Sequence, residues 1–216
     1  MTTLIPSAMP LDIETISGEI VATDISWDTY MAHYAADFCE WIEGIVIKMS
    51  PVYDRHDDLT QFFIMLFNAY FSHNPIGRIR VAPFVMKLKR SREPDIQVIL
   101  DSNPNTLHTT FMEGAADICI EIISPESVGR DSGEKFLEYE AGGVREYWLF
   151  DPLRREARFY RLDDTGVYIL QKLDDHDAYR TPLLPDFVLQ VSLLWQSPPP
   201  NFLQIVDIMK TMMNKE

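Results

Sequence analysis

The stretch from Ala116 to Phe150 constrains the fold more than any other part of the chain. "ADICIEII" (116–123) is an apolar run of strand length, and Ser124-Pro125 stops it. "SGEKFLEYEAGG" (132–143) reads as a short helix, with Ser132 as a candidate cap and Gly142–Gly143 as terminators. "EYWLF" (146–150) is a second buried strand, stopped by Asp151-Pro152. A strand, a helix and a strand in this order predict a right-handed crossover between parallel strands.

The flanking segments fit around that unit. Residues 1–25 read as an irregular arm. Ser26 can cap a helix running to about Asp37, and "WIEGIVIKM" (41–49) reads as strand, tight turn at Gly44, strand. Leu59, Phe62, Phe63, Leu66, Phe67 and Tyr70 form a wide apolar stripe that predicts a helix from about Asp57 to Ser72. Strands are predicted at about 78–88 and 95–100, with a turn-rich loop over 101–115. Residues 156–162 and 167–173 predict a hairpin around "DDTG". A proline break at 198–200 precedes an apolar helix at about 202–213. The domain is expected over 26–197, with residues 198–216 forming a C-terminal helix packed on or beside it. The order implies an α/β fold, a mixed sheet with helices packed on it.

Composition narrows the function classes. The chain has 216 residues, 46% of them hydrophobic, enough for one substantial core. No apolar run is long enough to span a bilayer, and the N-terminus lacks the pattern of a signal peptide. With Cys39 and Cys119 read as free buried thiols, a cytoplasmic location is expected. The net charge of −14 argues against a general affinity for nucleic acid, though not against a local basic surface. Lys87, Lys89, Arg90 and Arg92 in "KLKRSREPD" form such a run; a solvated strand end is its plain alternative.

One residue conflicts with the core pattern. Glu121 lies between Ile120 and Ile122, and burying a carboxylate is costly unless it is paired, protonated or metal-bound. Asp117, Cys119 and Glu121 share one strand face. Asp95 follows Pro94 at the start of the preceding strand, so strand pairing can bring it to Glu121. Two such carboxylates repel, and a divalent cation with oxygen ligands resolves the conflict. Lys135, in the first turn of the following helix, can point back over the strand end to orient water or stabilise charge on a phosphoryl group. Glu40 can reach the same place from the first helix's end. Each has a plainer reading: Asp95 as a turn cap, Lys135 as a surface partner of Asp131 or Glu138, Glu40 as an exposed helix end.

These pieces together resemble the Uma2 family of the PD-(D/E)XK restriction-endonuclease-like superfamily. The resemblance runs over roughly 26–195. It is carried by "CEWIEGIVIKMSPVYDRH" (39–56), "VAPFVMKL" (81–88), "EPDIQVI" (93–99), "ADICIEIISPES" (116–127), "DSGEKFLEYEAGGVREYWLFDP" (131–152) and "PLLPDFVLQV" (182–191). It implies a restriction-endonuclease-like α/β fold, with a mixed central β-sheet flanked by α-helices. It also implies catalytic roles for Asp95, Glu121, Lys135 and Glu40, with Mg²⁺ held by Asp95, Glu121 and Glu40 and Mn²⁺ as a possible substitute. The superfamily lysine would fall two residues after Glu121, where Ile123 stands. Lys135 is its expected replacement. Asp117 follows Ala116 at a place where the family often has Pro-Asp, so it competes with Asp95 as first metal ligand, with Asp95 preferred. His56 matches a family position; a phosphate contact or proton shuttle stands against local hydrogen bonding at a helix start, and the local reading is favoured. Tyr139, one turn beyond Lys135, is expected to pack rather than react.

The expected function is Mg²⁺-dependent hydrolysis of DNA phosphodiester bonds, with RNA as a second possible substrate and residues 87–92 guiding the backbone. The alternative is a nuclease-derived binding or assembly protein without metal, which the net charge and the displaced lysine favour. A homodimer suits either. No membrane association is expected.

Overall fold

A computed structural model describes residues 19–48, 54–124 and 133–213. The elements follow in chain order. Strand β1 (Glu19–Ala22) precedes helix α1 (Trp27–His33), which Ser26 caps by accepting a hydrogen bond from Thr29 N at 3.2 Å. β2 (Cys39–Ile42) and β3 (Ile45–Lys48) form a hairpin whose turn residues Glu43 and Gly44 both have positive φ, 47° and 96°. That turn matches the right-handed strand twist. α2 (Asp54–His73) leads to β4 (Gly77–Val81), β5 (Val85–Lys87), β6 (Ser91–Arg92) and β7 (Ile96–Leu100). β8 (Thr106–Leu107) and β9 (Phe111–Glu113) precede β10 (Ile118–Ile122). α3 (Lys135–Gly142) and β11 (Glu146–Asp151) complete the crossover. β12 (Glu156–Leu162), β13 (Tyr168–Gln171), β14 (Ala178–Arg180), β15 (Val188–Gln190) and α4 (Phe202–Met213) close the chain.

The crossover is present as expected: β10 and β11 pair in parallel, with Ile120 opposite Trp148 and Glu121 opposite Leu149. They lie inside a mixed sheet of order β13-β12-β11-β10-β7-β4. On one face, α2's stripe of Leu59, Phe62, Phe63, Leu66, Phe67 and Tyr70 packs against Val98, Ile120, Ile122, Trp148 and Phe150. α4 joins that cluster through Ile205, Met209 and Met212. The other face, with Ile99, Cys119, Tyr147 and Leu149, packs against Tyr139 of α3 and against Met86 and Met112. Apolar side chains on both faces explain why the central strands read as near-continuous hydrophobic runs.

A second sheet, β1-β3-β2-β6-β5-β9-β8, was not legible beforehand. Residues 19–22 belong to it as β1, paired with β3, instead of an irregular arm. The expected strand at 78–88 is two strands, because Pro83 has no N–H to continue a ladder. β4 stays on the first sheet and β5 crosses to the second. The expected loop at 101–115 holds β8 and β9. Helix α1 stops at His33, short of Asp37. Ser132 lies outside the described residues. At the other end of α3, Gly143 (φ 82°) is the left-handed cap, whereas Gly142 serves close packing. A Cβ at Gly142 would stand 2.5 Å from Leu88 Cδ1.

Candidate active site

β7 and β10 run antiparallel, with Ile96 opposite Ile120. This register places Asp95, just before β7, beside the end of β10 that carries Glu121. Asp95 Oδ2 accepts a hydrogen bond from Ile122 N at 2.7 Å and lies 3.0 Å from His56 Nε2. The first turn of α2 supplies His56, whose Nδ1 is 3.5 Å from Thr60 Oγ1. His56 thus makes the local contact expected of it and a longer-range one to Asp95.

Glu121 points to the face covered by α3. Lys135 Nζ lies 2.9 Å from its Oε2, and the Tyr139 hydroxyl donates to its Oε1 at 2.6 Å. The i, i+4 spacing of Lys135 and Tyr139 puts both on one side of α3. Lys135 Nζ is also 3.7 Å from Glu40 Oε1. Glu40 sits on β2 of the second sheet, buried and not at an exposed helix end. The candidate site therefore lies between the two sheets, under the start of α3.

Arg92 underpins this arrangement. Its guanidinium gives Nη1 to Glu40 at 2.8 Å, Nε and Nη2 to Glu138 at 2.7 and 2.9 Å, and Nη2 to Glu134 at 3.0 Å. Burial opposes its charge, but Glu40 and Glu138 overcome that and hold its pKa well above the ordinary value. Arg92 is 0% exposed, so it acts inside the protein and does not present a basic surface to a nucleic-acid backbone. Arg90 pairs with Glu138 at 3.0 Å. Lys87 pairs with Glu113 at 3.6 Å and stands 4.9 Å over the Trp27 ring. Within this run Lys89 is the exposed cation. Lys135 binds Glu121 and Glu40, and Glu138 serves Arg92; Asp131, the other expected partner of Lys135, lies outside the described residues.

Glu93 adds a carboxyl group missed in the sequence. The Tyr30 hydroxyl has one proton and lies 2.7 Å from the Cys39 carbonyl and 3.1 Å from Glu93 Oε1. If that proton goes to the carbonyl, the second contact is satisfied when Glu93 is protonated. Burial, reinforced by Glu40, pushes Glu93 up to about 8 from an ordinary 4.5. The folded state therefore holds this proton where the unfolded chain has released it. Stability from the neutral form is complete below about 4.5 and is lost as pH rises to about 8. Glu93→Gln is expected to match the wild type in thermal unfolding near pH 5 and to exceed it by several degrees near pH 8 to 9. A difference that does not vary with pH would contradict the neutral carboxyl.

Asp117 is at the opposite end of β10, about 13 Å from Glu121 at strand rise. Its Oδ2 accepts from Leu100 N and Asn103 Nδ2, both at 2.8 Å, and Oδ1 pairs with Arg145 at 3.1 Å. These bonds tie the loop after β7 to β10. Asp117→Ala is expected to cost about 1–3 kcal/mol, because Leu100 N loses its partner inside the protein. The variant should unfold at lower denaturant and cut at the wild-type rate if nuclease activity is present.

The donors suit a hard cation: Asp95 and Glu121 are carboxylates on neighbouring strands, and Glu40 stands behind them. Among the described residues no group of three or more His, Cys, Asp and Glu could hold an ion by itself. Two carboxylates completed by water and substrate phosphate are a common Mg²⁺ arrangement. Both Glu121 oxygens accept hydrogen bonds, from Lys135 and Tyr139, and a carboxylate oxygen can accept such a bond and still coordinate an ion. Among the described residues, Glu40, Glu121, Asp95, Glu134 and Glu138 outnumber Lys135, Arg90 and Arg92, and a divalent cation would offset that difference.

A two-sheet α/β fold with acidic strand ends and a lysine presented by the crossover helix defines a restriction-endonuclease-like protein. The family model for Uma2, described as "Putative restriction endonuclease", matches residues 27–192, and the chain belongs to that family. A crystal structure of "a putative nuclease belonging to DUF820 from Anabaena variabilis ATCC 29413" is similar with a TM-score of 0.66 and 21% identity, over 79% of this chain and 97% of that one. At that identity the likeness concerns the fold. No curated protein matches the chain. Among the described residues, no helix is long and apolar enough to cross a membrane.

Proposed function

We propose that this protein is a Mg²⁺-dependent endonuclease that hydrolyses DNA phosphodiester bonds, with Mn²⁺ able to substitute. The observation that carries this reading is Lys135 reaching from α3 to within 2.9 Å of Glu121, beside Asp95. Asp95 and Glu121 would hold the ion, with Glu40 close behind. When bound, the ion supplies an acidified water and positive charge for phosphate oxygens. Lys135 keeps its ammonium at the Glu121 carboxylate, where it can orient that water or donate to a non-bridging phosphate oxygen. Tyr139 fixes the other Glu121 oxygen, and Ile122 N with His56 fixes Asp95. Arg92 offsets the charge of Glu40, so the carboxylates can gather without repulsion opening the sheets. The test is nicking of supercoiled plasmid, alongside single-stranded DNA and RNA, with Mg²⁺, Mn²⁺ or chelator. No cutting of any of them with either metal ends the endonuclease reading.

One observation favours a rival, a nuclease-derived binding or assembly protein without metal: Glu121 and Glu40 already have cationic partners within the chain. Calorimetric titration with Mn²⁺ separates the two. No heat with the wild type, or the same heat with Asp95→Ala, supports the rival.

A further inference from the structure

The sheet register places a second set of cations near the candidate site. Glu121 is paired with Leu149, and Leu149 with Arg158. Directly paired residues project from the same face of a sheet. Arg158 therefore shares Glu121's face and level at two strand spacings, about 10 Å. Asp151, two residues after Leu149, shares the face as well. Its Oδ1 accepts from Leu153 N and Arg154 N at 3.0 and 2.9 Å, and its Oδ2 pairs with Arg154 Nη1 at 3.1 Å. These bonds set the β11–β12 turn and draw Arg154 toward the same face.

Unlike Arg92, these cations are open to solvent. The Arg154 side chain is 61% exposed and that of Arg158 31%, and Arg155 between them is exposed. Arg158 pairs with Glu156 at 3.3 Å. Exposed pairs of this kind contribute at most about 1 kcal/mol, so a phosphate can share or replace the carboxylate at little cost. In a chain of net charge −14, Arg154, Arg155 and Arg158 give a local cationic edge beside an acidic centre.

We infer that Arg154 and Arg158 grip the phosphodiester backbone of the bound nucleic acid beside the bond presented to Glu121. The inference rests on the nuclease reading, to which it adds the substrate-contacting surface. It replaces residues 87–92, where Arg90 and Arg92 are spent on Glu138 and Glu40, as the main backbone guide.

The test is fluorescence anisotropy with labelled duplex DNA, single-stranded DNA and RNA over a salt series, with Ca²⁺ in place of Mg²⁺, run beside plasmid nicking. Arg154→Gln/Arg158→Gln should bind roughly tenfold more weakly at about 0.1 M salt, and the slope of log K against log salt should shrink by about two. Arg154→Lys/Arg158→Lys should restore the slope, and Arg180→Gln, an exposed arginine on β14, should behave as wild type. If the double glutamine variant matches a wild type that binds in affinity and slope, the surface is wrong, and the endonuclease reading stands or falls separately on whether the wild type nicks. If the wild type neither binds nor nicks any of the nucleic acids, both are wrong.

Discussion

Glu121→Ala is expected to reduce metal-dependent nicking to the level of a chelated control, and to destabilise the fold. The carboxylate is one of two that would hold the ion. It is also the 2.9 Å partner of Lys135, whose side chain is 3% exposed. Its removal takes away the closest described carboxylate of the ammonium, Glu40 being farther off at 3.7 Å. Breaking a buried pair from one side costs about 3–5 kcal/mol. Glu121→Gln separates the two effects, because its amide oxygen can still accept from Tyr139 or Lys135. It should recover much of the stability, read by urea unfolding, and none of the cleavage. A glutamine variant that cuts normally would remove Glu121 from the chemistry.

Arg92→Ala is expected to have the largest effect on stability. The side chain joins Glu40 on β2 to Glu134 and Glu138 at the start of α3, and it is fully buried. Without it, Glu40, Glu134 and Glu138 face one another between the sheets with Arg90 and Lys135 as the nearby described cations, and the link from β2 to α3 is lost. A loss of about 3–5 kcal/mol or more follows, with α3 and Lys135 loosened over the site. Arg92→Lys keeps one charge and loses the fork, so it should lie between wild type and alanine. Unfolding in denaturant gives the order. Equal stability of the alanine and wild-type proteins would show that this network does not hold the sheets together.

Much of the fold was legible because burial leaves a periodic trace. The stripe on α2 and the apolar runs of β10 and β11 point to elements that pack on a sheet, and the strand–helix–strand order points to a parallel pair. The short strands of the second sheet left no such trace. β6, β8 and β9 are two or three residues each, too short for alternation to show. Asp95, Glu121, Lys135 and Glu40 stand out in the sequence as candidates by position and by resemblance, and the fold brings them to one end of the central strands. Arg92 was read as a surface cation because it stands in a basic run. Its partners lie 42 to 52 residues away, beyond any local pattern. Tyr139 looked like packing and is also the hydrogen-bond donor to Glu121.

The sequence by itself determined which segments become the central strands and helices, and that Glu121 would be a carboxylate inside an apolar strand. Periodicity and residue size act locally, so the chain carries them in plain order. Only the tertiary structure decided which charges meet. The antiparallel register of β7 on β10 puts Asp95, and not Asp117, at Glu121's end of the strand. The packing of the second sheet under α3 brings Glu40, Arg92 and Lys135 together and gives Glu93 a buried, largely neutral carboxyl. Those pairings depend on strand register and on distance through space, which spacing along the chain does not encode.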